Sequence, residues 1–135
     1  MNNAMRAMMV ALAILIATPM LVLAHKQGDI RNLGPIGGKA SLVDNPRRGA
    51  KSGLEVIVVN GGSAAEAAGL LVGDVIVGIS AAGVIRYFDN DASAELGKAI
   101  AEAEGKRKGR PSELRLCIVR DGKDVQLKAE VMGWG

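Results

Sequence analysis

Few residues in this chain have the type and spacing that chemistry requires. There is one histidine, His25, and one cysteine, Cys117, among 135 residues. A Ser-His-Asp arrangement needs an imidazole held by a rigid shell. His25 stands instead in a polar, glycine-containing stretch, residues 25–31, that reads as a flexible lead-in. No His-Glu-x-x-His pattern and no Walker-type loop occurs. A single cysteine excludes an intramolecular disulfide and any cysteine-based zinc site. Cys117 lies within Leu116-Cys117-Ile118-Val119, a run that suits a small buried packing residue better than a reactive thiol. Asp74, after Gly73, reads as a cap for local backbone N–H groups, and Ser63 as a helix cap before it is a nucleophile. The expectation is a protein with no catalytic residues, no metal ligands and no cofactor.

Composition narrows the partners. Lys and Arg number 17 against 14 Asp and Glu, a formal net charge of +3, too mild by itself to point to nucleic acid. Aromatic residues make up 2%, which argues against a base-stacking platform. The segment Lys106 to Pro111 (KRKGRP) concentrates the basic charge. It reads either as a solvated loop or as an anion or membrane-surface contact.

The N-terminus is the one long apolar stretch. Arg6 precedes it, Ala7 to Ile16 is continuously apolar, and Thr18-Pro19 breaks it before the small-residue pattern Val22-Leu23-Ala24. Residues 1–24 therefore read as a secretory signal cleaved before His25. The alternative is an uncleaved N-terminal anchor, because Ala7 to Ala24 carries no charge and approaches the length of a spanning helix. No cysteine follows, which disfavours a lipoprotein. Both readings put the folded part outside the cytoplasm.

The remaining elements must position whatever site exists. Asn32 to Gly38 is a glycine-rich loop leading into a strand at about 36–43, and Asp44 to Ser52 is a loop. Gly53 to Asn60 is a β-branched strand. Ser63 and Glu66 form a capping-box pattern, so a short helix starts at Ala64 and Gly69 stops it. Gly73-Asp74 turns the chain into a strand through Val75 to Ile79. After a turn at Ser80 to Gly83 and a short strand at Val84 to Phe88, Asp91 to Glu104 is a second helix ended by Gly105. Ala92, Leu96, Ala99, Ile100 and Ala103 make its apolar face. Leu114 to Arg120, the hairpin turn Asp121-Gly122 and Lys123 to Val131 complete a mainly β chain with two helices, an α+β arrangement in one domain.

The stretch Gly61 to Ile79 resembles the core signature of PDZ domains of the bacterial, protease-associated and secreted type. The match runs through Gly62, Ser63, Ala65, Ala68, Gly69, Leu70, Gly73, Asp74 and Ile76, with Ala64 where the family often has Pro. Less sharply, the resemblance covers about residues 30–131, and it implies a PDZ-like domain over 32–132 with a partly open β-barrel of five or six strands. It further implies binding of an extended or C-terminal peptide by β-strand addition, between the strand near 36–43 and the helix at Ala92 to Ala103. By that resemblance the loop Leu33 to Gly37 holds the peptide carboxylate through the amides of Leu33, Gly34 and Ile36, and Ile36, Leu96 and Ile100 pocket its last side chain. The slot requires a free sheet edge facing the helix flank. Pro35 has no N–H to give, so an ordinary Gly/Pro turn is the competing reading of this loop. The catalytic parts of the protease relatives are absent, so the resemblance implies a non-catalytic module with a protein or peptide partner, no nucleic acid, and membrane contact only through an uncleaved N-terminus. Location would be secreted or periplasmic. The alternatives are a structural or assembly module with a vestigial groove, or the front module of a larger secreted protein.

Overall fold

A computed structural model describes residues 29–81, 83–106 and 108–132. The expected signal at 1–24 and His25 lie outside these residues. The described chain is mainly β, with seven strands and two α-helices. The strands are β1 (Ile30–Asn32), β2 (Gly38–Arg47), β3 (Ala50–Val59), β4 (Val75–Ala81), β5 (Val84–Tyr87), β6 (Pro111–Arg120) and β7 (Lys123–Met132). The helices are α1 (Ala64–Ala68) and α2 (Ala92–Lys106). All pairings are antiparallel, in the order β1-β2-β3-β4-β6-β7, with β5 paired to β4.

Period-two and helical patterns meet in one core. Leu54, Val56, Ile76, Leu116, Ile118, Ala129 and Val131 come from the sheet, and Ala92, Leu96, Ala99, Ile100 and Ala103 from the apolar stripe of α2. Burial of these side chains is the main stabilising term. A smaller cluster of Ala50, Val77 and Cys117 is packed by Val75, Tyr87 and Val119. The Arg47 guanidinium lies 4.4 Å from the centroid of the Tyr87 ring.

Local chemistry sets the helix ends. Ser63 Oγ accepts from the Glu66 N–H at 3.2 Å, and Glu66 Oε1 accepts from the Gly62 N–H at 3.0 Å. Gly69 closes α1 at φ 86, where its N–H reaches Ala65 O and Glu66 O. Asp91 Oδ1 caps α2 by accepting from the N–H of Ser93 at 2.9 Å and of Ala94 at 3.3 Å. Ser52 Oγ accepts from the Ala92 N–H at 3.1 Å, tying the start of α2 to β3.

The structure departs from the sequence reading at several boundaries, three of which matter most. Strand β1 occupies Ile30 and Arg31, which read as lead-in, and it raises the strand number above the expected five or six. Strands β2 and β3 run into the expected loop at 44–52 and leave only Arg48 and Gly49 as the turn. Pro46 is accommodated there by a register shift between Asp44 and Arg47, beside Asn45 at φ 46. Helix α2 passes through Gly105 and ends at Lys106.

Candidate functional site

The glycine-rich loop folds as a 3₁₀ turn over Gly34–Ile36. Pro35 suits this turn, because its fixed φ is already helical and its missing N–H falls where a helix start leaves donors unpaired. Gly37 is required twice over. It sits at φ 89, and a Cβ there would come 2.4 Å from the Cβ of Ser63. The Asn60 N–H donates to Gly37 O at 3.1 Å, so the loop is docked on the start of α1. Leu33 and Ile36 are buried and anchor it to the core.

Between this loop and α2 lies a cavity of about 180 Å³. Asn32, Leu33, Gly34 and Pro35 line one side, with Leu54 of β3. Helix α2 contributes Leu96 and a stripe of Ser93, Gly97, Ile100 and Glu104, spaced three and four apart and so on one face. Of the residues expected at the site, Leu33, Gly34, Leu96 and Ile100 converge on this cavity. Ile36 does not line it; its side chain is fully buried in the core. Gly37 does not line it either, being packed on Ser63. Leu54, Ser93 and Gly97 were not anticipated. Ser93 and Gly97 share the helical spacing of Ile100, which is the signal that could have found them.

Three backbone donors of the loop already have acceptors. The Leu33 N–H donates to Gly38 O at 2.9 Å, the Gly34 N–H to Asn32 Oδ1 at 2.8 Å, and the Gly37 N–H to Gly34 O at 3.0 Å. Two of the three amides assigned to a peptide carboxylate, Leu33 and Gly34, are therefore engaged within the loop. The side-chain oxygen of Asn32 stands where an anion's oxygen would have to be.

The sheet edge is also partly taken. Strand β1 pairs with β2 in the register Ile30↔Ser41, Arg31↔Ala40 and Asn32↔Lys39. It runs antiparallel to β2 with its C-terminal end at the loop, the polarity of a peptide whose carboxylate points into that loop. The expected free edge is thus covered over Lys39 to Ser41 by the chain itself. Beyond Ser41, no strand among the described residues pairs with this side of β2.

The other chemistry-bearing residues lie elsewhere. Asp74 is 2% exposed, and its Oδ2 accepts from the Leu71 N–H at 2.8 Å, as a turn cap should. It also receives two donors from Arg120, Nε to Oδ1 at 2.8 Å and Nη2 to Oδ2 at 2.6 Å. Arg120 Nη2 donates further to Gly69 O at 2.8 Å. These hydrogen bonds fasten the turn after α1 to β6. Cys117 is buried, and burial followed by the nearby Asp124 carboxylate pushes its thiol up, against a smaller opposing effect of Arg47. Among the described residues no cluster of potential metal ligands occurs, and no helix is long and apolar enough to cross a membrane. Comparison with known protein families and with curated proteins found no match.

Proposed function

We propose that this chain is a non-catalytic peptide-binding module of the PDZ kind, acting outside the cytoplasm. An extended peptide adds as a strand beside β2 and places its terminal side chain in the cavity between the 32–35 loop and α2. The observation that carries this reading is that cavity, where apolar Leu33, Leu54, Leu96 and Ile100 meet at the end of a β-strand edge. Burial of one apolar side chain there contributes about 1.5–3 kcal/mol. With main-chain pairing, the sum is consistent with a Kd on the order of micromolar. Location outside the cytoplasm rests on the apolar segment before His25.

In this reading β1 holds the slot until a ligand displaces it. The exchange is feasible because β1 has only three residues, and Ile30 and Asn32 leave their side chains exposed. Titration with C-terminal peptides, free and amidated, tests the proposal. Backbone amide exchange at Ile30 to Asn32 and at Lys39 to Ser41 is followed during the titration. Binding should release the first set while the second stays protected, and amidation should weaken it. Equal affinity for amidated peptides removes the carboxylate loop from the proposal.

The paired edge favours a second reading, an assembly module whose groove is permanently filled by β1. In that case no peptide would change exchange at Ile30 to Asn32.

A further inference from the structure

The β4–β5 hairpin leaves its tip uncovered. Its turn lies between Ala81 and Val84, which face each other in register. Val84 is 68% exposed and Ile85 40%. Neighbours in a strand point to opposite faces, so a ribbon covered on one side would bury one of the two. Val84, Ile85 and Arg86 are all exposed, and the tip of the hairpin is therefore uncovered on both faces. Two aliphatic side chains project there into solvent.

Cations surround this tip. A cavity of about 480 Å³ separates the hairpin from the second half of α2, and its lining includes Gly83, Arg86, Lys106 and Arg115. Glu113 pairs with Arg115, and Glu102 is the other carboxylate in the lining. Arg86 and Lys106 have no ion-pair partner among the described residues. Lys108 and Arg110 follow, both exposed, before Pro111 opens β6. The registers Ser80↔Arg115 and Pro111↔Met132 put the end of β7 at the same end of the sheet, where Met132 is 61% exposed. None of the residues around this cavity lines the peptide slot.

We propose that this end of the molecule docks on an anionic lipid bilayer. Val84 and Ile85 enter the boundary between headgroups and acyl chains, and Arg86, Lys106, Lys108 and Arg110 meet lipid phosphates. A convex apolar tip flanked by cations matches a surface that is apolar within and anionic without. A protein partner fits less well, since a stable interface takes about 800 Å² from each side and this ribbon is narrow. Nucleic acid fits less well because, among the described residues, no aromatic side chain stands at the tip to stack on a base. Lys106, Lys108 and Arg110, ambiguous as sequence, gain an apolar neighbour through the fold.

The test places a polarity-sensitive fluorophore on a Val84→Cys variant of the full chain. Buried Cys117, its thiol pushed up by burial, stays unlabelled near neutral pH. Reading the environment at the tip separates this contact from any hold the apolar N-terminal segment has on vesicles. A blue shift is expected with phosphatidylcholine vesicles that contain phosphatidylglycerol, but not with phosphatidylcholine alone, and high salt should reverse it. Lys106→Ala and Lys108→Ala should each weaken the response about fivefold, the effect of about one cation at an anionic surface. An unshifted label on vesicle-bound protein overturns the proposal. So does a shift that is equal on both vesicle types and indifferent to salt. A shift with an acidic polypeptide and none with vesicles overturns it in favour of a protein contact.

Discussion

Two glycine-rich turns in this protein satisfy their backbone donors differently. In the turn around α1, two of the backbone N–H groups find charged acceptors. Gly62 donates to Glu66 and Leu71 to Asp74, and Asp74 is itself held by two donors from Arg120. In the loop at 32–38 the acceptors are neutral: Asn32 Oδ1, Gly38 O and Gly34 O. Hydrogen bonds with an ionised partner are roughly twice as strong as neutral ones. The first turn is therefore fastened by two carboxylates, whereas the second is closed by neutral acceptors, which on the proposed reading a peptide carboxylate would displace. If the peptide-binding proposal holds, the charge of the internal acceptor, and not the number of glycines, is what separates the two turns.

Removing Asp74 should give the largest effect. Asp74→Ala strands the part-buried Arg120 guanidinium and the Leu71 N–H, and should lower the unfolding free energy by about 3 kcal/mol, measured by urea denaturation. Asn32→Ala should cost only about 1 kcal/mol, the worth of one neutral hydrogen bond. The same change frees the Gly34 N–H for a carboxylate, so peptides with a free C-terminus should bind about fivefold more tightly, again the size of one hydrogen bond. The contrast between the two turns breaks if Asn32→Ala destabilises as much as Asp74→Ala, or if it weakens peptide binding in calorimetric titration.

The same contrast marks what the sequence could disclose. Features set by neighbours a few residues apart were legible: the Ser63–Glu66 cap, the stop at Gly69, the Asp121-Gly122 hairpin and the apolar stripe of α2. Leu96 and Ile100 were legible as residues sharing one helix face for that reason, and both line the cavity. Ile36 was not. Read as the first residue of a strand it points toward the slot, but the 3₁₀ turn delays β2 to Gly38 and sends the Ile36 side chain into the core. Such small offsets reverse a side chain's face. Arg120 stayed hidden because its partner is 46 residues away. Strand β1 stayed hidden because Ile30-Arg31-Asn32 is too short to show a period, and it forms only because β2 offers an edge.

The smallest expected effect tests the cavity itself. Gly97 lies inside α2, where glycine costs roughly 0.5–1 kcal/mol relative to alanine. A Cβ at this position would meet nothing within 4 Å, so packing within the domain gives no reason for the glycine. Gly97→Ala should accordingly raise the unfolding free energy by roughly 0.5–1 kcal/mol, seen as a higher midpoint in urea. The added methyl also narrows a cavity of only about 180 Å³. Peptides ending in Leu or Phe should bind more weakly to the variant, while those ending in Ala should bind as before. A variant that is more stable and keeps the same preference among terminal side chains would show that no side chain enters beside Gly97, and would take the cavity out of the binding site.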